Sequence, residues 1–113
     1  MIKTIFCFLI LMVTSFSSVA YDGNDLFEAS KVYQANTKTD DLTFGYYMGY
    51  VAATSGYAAD NGVFCSPSNT RNGQLFDIVY NYLKENPASR SYSASTVIEK
   101  ALSEAYLCSR KAK

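Results

Sequence analysis

The sequence contains no histidine, and after its first 20 residues it contains only two cysteines. A tetrahedral metal site therefore lacks ligands, and a thiol nucleophile lacks its usual imidazole base. The Cys-x-x-Cys spacing of redox enzymes is also absent. Two carboxylate pairs lie close in sequence, Asp40 with Asp41 and Glu99 with Glu104, and they fit a helix start and a solvated helix face. We therefore predict no catalytic residue, no metal and no cofactor, and we expect that the protein is not an enzyme.

The sequence also has little net charge. Residues 21 to 113 carry nine Lys and Arg against ten Asp and Glu. This balance gives no strong field for nucleic acid or a membrane surface, so neither is predicted as a partner. Residues 21 to 62 carry six acids and two bases, and residues 63 to 113 carry four acids and seven bases. The asymmetry fits charges placed at helix ends, or alternatively it orients a charged partner.

The sequence has one long hydrophobic run, from Ile5 to Phe16. This run is shorter than the roughly 20 residues of a membrane-spanning helix. It follows Lys3 and precedes the small-x-small site Ser18-Val19-Ala20, the pattern of a cleaved signal peptide. We predict that residues 1–20 are a signal peptide, with an uncleaved anchor as the alternative. Residues 21–113 then form one small exported domain.

The two remaining cysteines, Cys65 and Cys108, are 43 residues apart. In an oxidising compartment, an even pair in a small domain favours a disulfide. Closing that loop is worth about 4 kcal/mol in the chain-entropy model. This is a large share of the stability of a small domain.

Apolar residues recur at helical spacing in four segments. We predict helix one at about residues 25–36 and helix two at 40–60. Helix three begins at a cap on Thr70 or Asn72 and ends before Pro87, and helix four runs from about Ser93 to Leu107. The predicted fold class is all-α, a small four-helix bundle-like domain with one disulfide, preceded by a signal peptide.

The second segment is unusual because residues 45–60, GYYMGYVAATSGYAAD, contain three glycines and four tyrosines. A glycine inside a helix costs about 1 kcal/mol relative to alanine. At the helical period, however, the segment sorts into three faces. The apolar face holds Phe44, Tyr47, Met48, Val51, Ser55 and Ala58; a small-residue strip holds Gly45, Gly49, Ala52, Ala53 and Gly56; the tyrosine face holds Tyr46, Tyr50 and Tyr57.

The small-residue strip allows another helix backbone to approach closely. The first interpretation is that helix four or helix one packs on it. Two alternatives remain open: an identical subunit packs there, or the adjacent tyrosines form a recognition surface, since tyrosine is enriched among interface anchors.

A polar loop rich in turn-forming residues, 62–73, joins helices two and three. The predicted disulfide holds one end of it. The loop is either an ordinary connection or a preorganised binding element.

The order of these residues resembles the Rap/Tai family of type VI secretion immunity proteins. The resemblance rests on Phe64-Cys65-x-Pro67, Thr70-x3-Gln74-Leu75, Val79-x2-Tyr82-Leu83-x3-Pro87, Ala94, Val97, Ala101-Leu102 and Cys108, with Gly23-Asn24-Asp25-Leu26 and Gly49-Tyr50-Val51 upstream. It spans nearly the whole of residues 21–113. The sequence departs from the family at Ser30 and Tyr47, where many members have two further cysteines, and at Ala53, where many have glycine.

The resemblance implies a helical periplasmic protein, commonly a homodimer, that binds a cognate effector toxin. Similar members neutralise peptidoglycan amidase effectors by covering the catalytic cleft with a loop and a helix surface. On this basis the expected partner-binding residues are Tyr46, Tyr50, Tyr57, Ser66, Ser68, Asn69, Thr70, Arg71 and Asn72, and the expected disulfide is Cys65–Cys108. The alternative function is a small periplasmic chaperone or stress-response protein, which would also be exported, helical and disulfide-bearing.

Overall fold

The structure is a computed structural model that describes residues 21–35 and 40–109. The described residues form four α-helices and one short 3-10 helix, which confirms the all-α prediction. The helices are α1 (Gly23–Ala35), α2 (Asp41–Asp60), α3 (Asn72–Glu85) and α4 (Ala94–Ala105), and the 3-10 helix is Pro87–Ser91. The predicted signal peptide lies outside the described residues. Among the described helices, none is long and apolar enough to cross a membrane.

α1 begins at Gly23, two residues before the predicted start at about residue 25. Two aspartates fix its first turn, because the Asp25 backbone N–H donates to Asp22 and the Asp22 N–H donates to Asp25. The chain on either side of Asp22 also pairs with the chain before α4. Gly23 N donates to Tyr92 O at 2.9 Å, and Ala94 N donates to Tyr21 O at 3.0 Å. The start of α1 is therefore held by both its own side chains and a second segment.

α2 is the helix that the three-face analysis predicted. Its N-cap is Asp40, whose carboxylate accepts bonds from the Thr43 N–H and hydroxyl, and these bonds lower the pKa of Asp40. It ends at Asn61 and Gly62, and Gly62 has a φ of 71°, a left-handed conformation that favours glycine. The buried residues of α2 all belong to the predicted apolar face: Tyr47, Val51, Ser55 and Ala58.

Aromatic side chains join α1, α2 and α3 near Ser30 and Tyr47, the positions where many family members have two further cysteines. Ser30 and Tyr47 are both fully buried. The Tyr47 ring lies 5.3 Å from the Tyr33 ring of α1 and 6.0 Å from the Phe76 ring of α3. Its hydroxyl donates to the Phe76 carbonyl at 2.6 Å, which satisfies the polar end of a buried tyrosine. Ring packing and one buried hydrogen bond therefore hold α1 and α3 against α2.

The interpretation that α4 or α1 packs on the small-residue strip is wrong. A Cβ added at Gly45, Gly49 or Gly56 would have no neighbouring heavy atom within 4 Å. The glycine positions of the strip are open, although Ala52 is partly buried against the core, because α2 presents its larger side chains, which bury more apolar area, to the rest of the domain. Gly23 is the opposite case, since a Cβ there would lie 2.7 Å from Arg90 Cα.

α3 and α4 differ from prediction at their ends. Arg71, rather than Thr70 or Asn72, caps α3, because the Gln74 side chain accepts the Arg71 backbone N–H at 2.8 Å. Pro87 lies after the end of α3, as predicted, and it is also the first residue of the 3-10 helix. α4 begins at Ala94, one residue after the predicted start, with Ser93 as its N-cap, and it ends at Ala105 and not at Leu107. The buried residues of α4 form the predicted stripe: Ala94, Val97, Ile98, Ala101 and Leu102.

Candidate functional site

The disulfide prediction is confirmed: Cys65 and Cys108 are bonded, with their Cα atoms 4.8 Å apart. A backbone hydrogen bond from Cys65 N to Tyr106 O, 3.0 Å long, lies beside it. The Phe64 ring is buried and lies 6.3 Å from the Tyr106 ring. These contacts fix the loop after α2 to the segment after α4.

The predicted binding loop begins at this anchored point. A turn closes it, since Thr70 N donates to Pro67 O at 3.0 Å. Ser68, Asn69 and Arg71 are exposed, and Ser66 and Thr70 are half-buried. Asn72 is exposed but is the first residue of α3 and not part of the loop. The loop therefore presents polar side chains on a backbone held by the disulfide at one side and by a helix at the other.

Exposed apolar side chains flank the loop, and the sequence analysis did not assign them to the site. Leu107 is 79% exposed, between Tyr106 and Cys108, and Val63 is 36% exposed, next to Phe64. Single exposed apolar residues are common on protein surfaces, but these two lie beside an anchored polar loop, and apolar side chains within a polar rim are the usual composition of a protein interface. The sequence analysis placed Leu107 at the end of helix four and so did not consider it as a binding residue. In the structure the helix ends at Ala105, before Leu107.

The predicted tyrosine face divides into two parts. Tyr46 and Tyr50 are stacked with ring centroids 5.9 Å apart, and Tyr21 packs against both at 5.0 and 5.2 Å. We call Tyr21, Tyr46 and Tyr50 the tyrosine cluster. Tyr57 is 69% exposed and lies near the loop. At 1.5 Å per residue it is about 16 Å along the helix axis from Tyr46.

Burial changes the chemistry of these phenols little at neutral pH. It raises the pKa of Tyr21 to about 12, with smaller contributions from Tyr46 and Asp25, and it also raises the pKa of Tyr50. Both hydroxyls therefore stay neutral near pH 7. The cluster offers aromatic surface and hydrogen bonds to a partner rather than an ionised nucleophile.

The structure therefore separates the predicted partner-binding residues into two surfaces. The disulfide end combines the loop with Tyr57, Val63 and Leu107, whereas the tyrosine cluster lies toward the start of α2. Tyr21 was missed because the first residue of a predicted domain carries no periodic signal. No group of three potential metal ligands occurs among residues 21–35 and 40–109.

The anchored loop and the exposed side chains around it form a surface that another protein can contact. A family model described as Rap1a immunity proteins matches residues 22–108. The chain therefore belongs to the Rap1a immunity protein family, and the predicted resemblance is confirmed. The family implies a non-enzymatic inhibitor that binds a cognate effector. No curated protein matches the sequence.

Proposed function

We propose that this protein is a periplasmic immunity protein of a type VI secretion system, and that it inhibits a peptidoglycan amidase effector by covering the active site. The proposal rests on the family match across residues 22–108 together with the anchored loop. An inhibitor needs a surface that keeps its shape before binding, because ordering a loop on binding costs affinity. The disulfide and the α3 cap hold this loop at both ends.

The toxin-binding surface that we propose is the disulfide end. It includes Ser66, Ser68, Asn69, Thr70, Arg71 and Asn72, with Tyr57 at the end of α2. Leu107 and Val63 supply the apolar part of this surface. Exposed polar groups around a small apolar centre match the usual composition of a protein interface.

The loop is tested by the double substitution Asn69→Ala with Arg71→Ala, measured by calorimetric binding to the proposed cognate amidase effector. We expect affinity to fall at least about ten-fold, which corresponds to about 1.4 kcal/mol. The matched control is Asn81→Ala with Lys84→Ala, because these residues have the same chemistry and are exposed on α3. Equal affinity for the two double variants would place the contact elsewhere.

The function itself is tested by periplasmic co-expression with that amidase. We expect the wild-type chain to prevent lysis and to form one stoichiometric complex. Lysis that continues undiminished would contradict the proposal. Recovery of many client proteins in place of one partner would favour the chaperone alternative.

A homodimer is the second part of the proposal, and the small-residue strip of α2 is its proposed interface. The open space at Gly45, Gly49 and Gly56 supports it, since a second helix has room to approach there. Light scattering on the purified chain is expected to give twice the monomer mass. Gly49→Glu is expected to give the monomer mass, and a monomeric wild-type chain would contradict this part.

Export is the third part of the proposal, with residues 1–20 as the cleaved signal peptide and residues 21–113 as the helical domain. Mass spectrometry of the protein recovered from the periplasm is expected to find Tyr21 at the N-terminus. A mass that retains residues 1–20 would instead indicate an uncleaved anchor.

A further inference from the structure

Two of the asparagines in the chain are followed by glycine, Asn61 by Gly62 and Asn72 by Gly73. In such a pair the backbone nitrogen of the glycine can attack the side-chain amide carbon of the asparagine, because glycine has no Cβ to obstruct the approach. All four residues are exposed. The two pairs lie at opposite ends of the connection between α2 and α3, so their surroundings determine which of them can react.

Hydrogen bonds engage the reacting groups of Asn61 and Gly62. The Asn61 side-chain amide donates to the Tyr57 carbonyl at 2.8 Å. The Gly62 backbone N–H donates to the Ala59 carbonyl at 3.1 Å. The amide that would leave and the nitrogen that would attack are therefore both held in other interactions.

The same groups of Asn72 and Gly73 have no acceptor among the described residues. These are the first two residues of α3, where backbone N–H groups have no partner within the helix. The nearby bonds bypass them, because Gln74 N and Leu75 N both donate to Arg71 O. A Cβ added at Gly73 would have no neighbouring heavy atom within 4 Å. The attacking nitrogen and the leaving amide are thus both accessible at this pair.

The reaction also requires rotation of the backbone between the asparagine and the glycine. At Asn61 this rotation would displace Phe64, which is buried, and Cys65, which is bonded to Cys108. At Asn72 it opens only the first turn of α3, and the chain before that turn is largely exposed. Helix ends open locally at a low free-energy cost. The rotation is therefore easier at Asn72.

The position on the helix favours the same pair. Negative charge develops on the attacked carbonyl group, and the final product is a carboxylate. The N-terminal end of a helix stabilises negative charge, whereas the C-terminal end destabilises it. Asn72 is the first residue of α3, and Asn61 follows the last residue of α2. The helix termini thus favour the reaction at Asn72 and disfavour it at Asn61.

We propose that Asn72 is a site of spontaneous deamidation in this protein. Gly73 N loses its proton and forms a bond to Asn72 Cγ, and the Cγ–Nδ2 bond breaks to release ammonia and leave a five-membered succinimide. Water then opens this ring. Addition of water at Cγ gives aspartate, and addition at the backbone carbonyl carbon gives isoaspartate. Either product adds a carboxylate at residue 72, within the proposed toxin-binding surface.

Peptide mapping of the purified, disulfide-bonded chain tests the site. The chain is incubated in warm, mildly alkaline buffer and digested with pepsin in acid, which stops the reaction. Fragmentation of the peptides assigns each mass increase to one asparagine. We expect conversion at Asn72 to be at least about five-fold faster than conversion at Asn61. Equal rates, a faster rate at Asn61 or no conversion at Asn72 would overturn the proposal.

The unfolded chain shows whether the structure causes this difference. After reduction of the disulfide and transfer to urea, we expect the rates at Asn61 and Asn72 to become similar, because each asparagine then precedes a glycine in an open chain. If the same preference for Asn72 persists in urea, it comes from the local sequence, and the structural argument fails.

A pair of glycine variants tests the attacking nitrogen. Gly73→Ala adds a methyl group beside this nitrogen in open space, so we expect the chain to fold and conversion at Asn72 to be at least about five-fold slower. The matched control is Gly56→Ala, which adds a methyl group at another open position in a helix. We expect it to leave the rate at Asn72 unchanged. Equal slowing in both variants would show a general effect of helix stability and overturn the assignment.

The consequence for binding rests on the proposed function and is measured separately. A carboxylate cannot donate the hydrogen bonds of an amide, so we expect Asn72→Asp to bind the proposed amidase effector at least about five-fold more weakly than the wild type. Unchanged affinity would overturn this consequence. If Asn72 is converted but the wild-type chain does not prevent lysis, the proposed function fails and the modification site stands. If the chain prevents lysis and Asn72 is not converted, the modification site fails alone.

Discussion

α2 and α4 end at the same disulfide but use their surfaces in opposite ways. α4 buries a continuous aliphatic stripe against the rest of the domain and exposes polar side chains. Packing within the domain therefore explains its sequence pattern. α2 buries one face through Tyr47 and Val51, and it leaves glycines and tyrosines uncovered. The difference indicates that α4 contributes mainly to the stability of the monomer, whereas part of α2 is available for contacts with other molecules.

The largest effect is expected at the disulfide where the two helices are joined. Replacing both Cys65 and Cys108 with serine should lower the free energy of unfolding by about 4 kcal/mol, because the unfolded chain regains the entropy of an open loop. Urea denaturation of the oxidised wild type and the double variant measures this loss. An unchanged midpoint would mean that Phe64 and Tyr106 packing suffices to hold this end.

A matched pair of leucines tests the contrast between the helices. Leu102→Ala in α4 removes a fully buried side chain and should destabilise the protein by about 3 kcal/mol. Leu42→Ala in α2 removes an 84% exposed side chain and should change stability by less than about 0.5 kcal/mol. Thermal denaturation of both variants provides the comparison. Similar losses of stability in the two variants would contradict the conclusion that part of the α2 surface is not needed for the stability of the monomer.

The glycines of α2 should behave differently from the glycine of α1. Gly49→Ala and Gly56→Ala should each stabilise the monomer by about 0.5 to 1 kcal/mol, because alanine favours the helix and the added methyl meets no neighbour. Gly23→Ala should destabilise it, since its Cβ would approach Arg90 Cα at 2.7 Å. Chemical denaturation at a concentration where the chain is monomeric measures both signs. A loss of stability in Gly49→Ala would show that the strip is covered within the monomer.

The smallest effect concerns the tyrosine cluster at alkaline pH. The pKa of Tyr21 is raised from 10.0 to about 12, mainly by burial, so the folded state favours the neutral phenol. Its contribution to stability is fully present below pH 10 and is lost as the pH rises toward 12. Because Tyr21 is partly exposed, we expect less than about 1 kcal/mol.

The matching variant is Tyr21→Phe, which has no proton to lose at this position. Urea midpoints measured between pH 9 and 11 should therefore fall less steeply for the variant than for the wild type. Parallel curves would show that Tyr21 is solvated and that the cluster is loosely packed.

The buried faces of the helices were predictable from the sequence because burial follows helical period. Val97, Ile98 and Leu102 of α4 and Val51 of α2 lie where the pattern placed them. The disulfide followed from counting cysteines in a chain that is predicted to be exported. These features depend on composition and local spacing, which a single sequence records directly.

The arrangement of surfaces was not predictable in the same way. A helical wheel separates the faces of α2 but does not show which face the other helices cover, and so the packing assigned to the small-residue strip was wrong. The cap of α3 depends on the backbone of Arg71 and the side chain of Gln74, although Arg71 is not a typical cap residue. The tyrosine cluster depends on Tyr21 meeting Tyr46 and Tyr50 of α2, a contact that only tertiary structure determines.

The antiparallel pairing of Tyr21 and Gly23 with the segment before α4 has a practical consequence for constructing fusions. Tyr21 packs against Tyr46 and Tyr50, so any polypeptide joined before it starts beside the tyrosine cluster. An affinity handle or fluorescent reporter attached there would crowd that cluster. A label at the opposite terminus, past Ser109, would instead lie near the loop. An engineered cysteine on the outer side of α3, at Asn81, avoids both surfaces and is the better attachment point for binding assays.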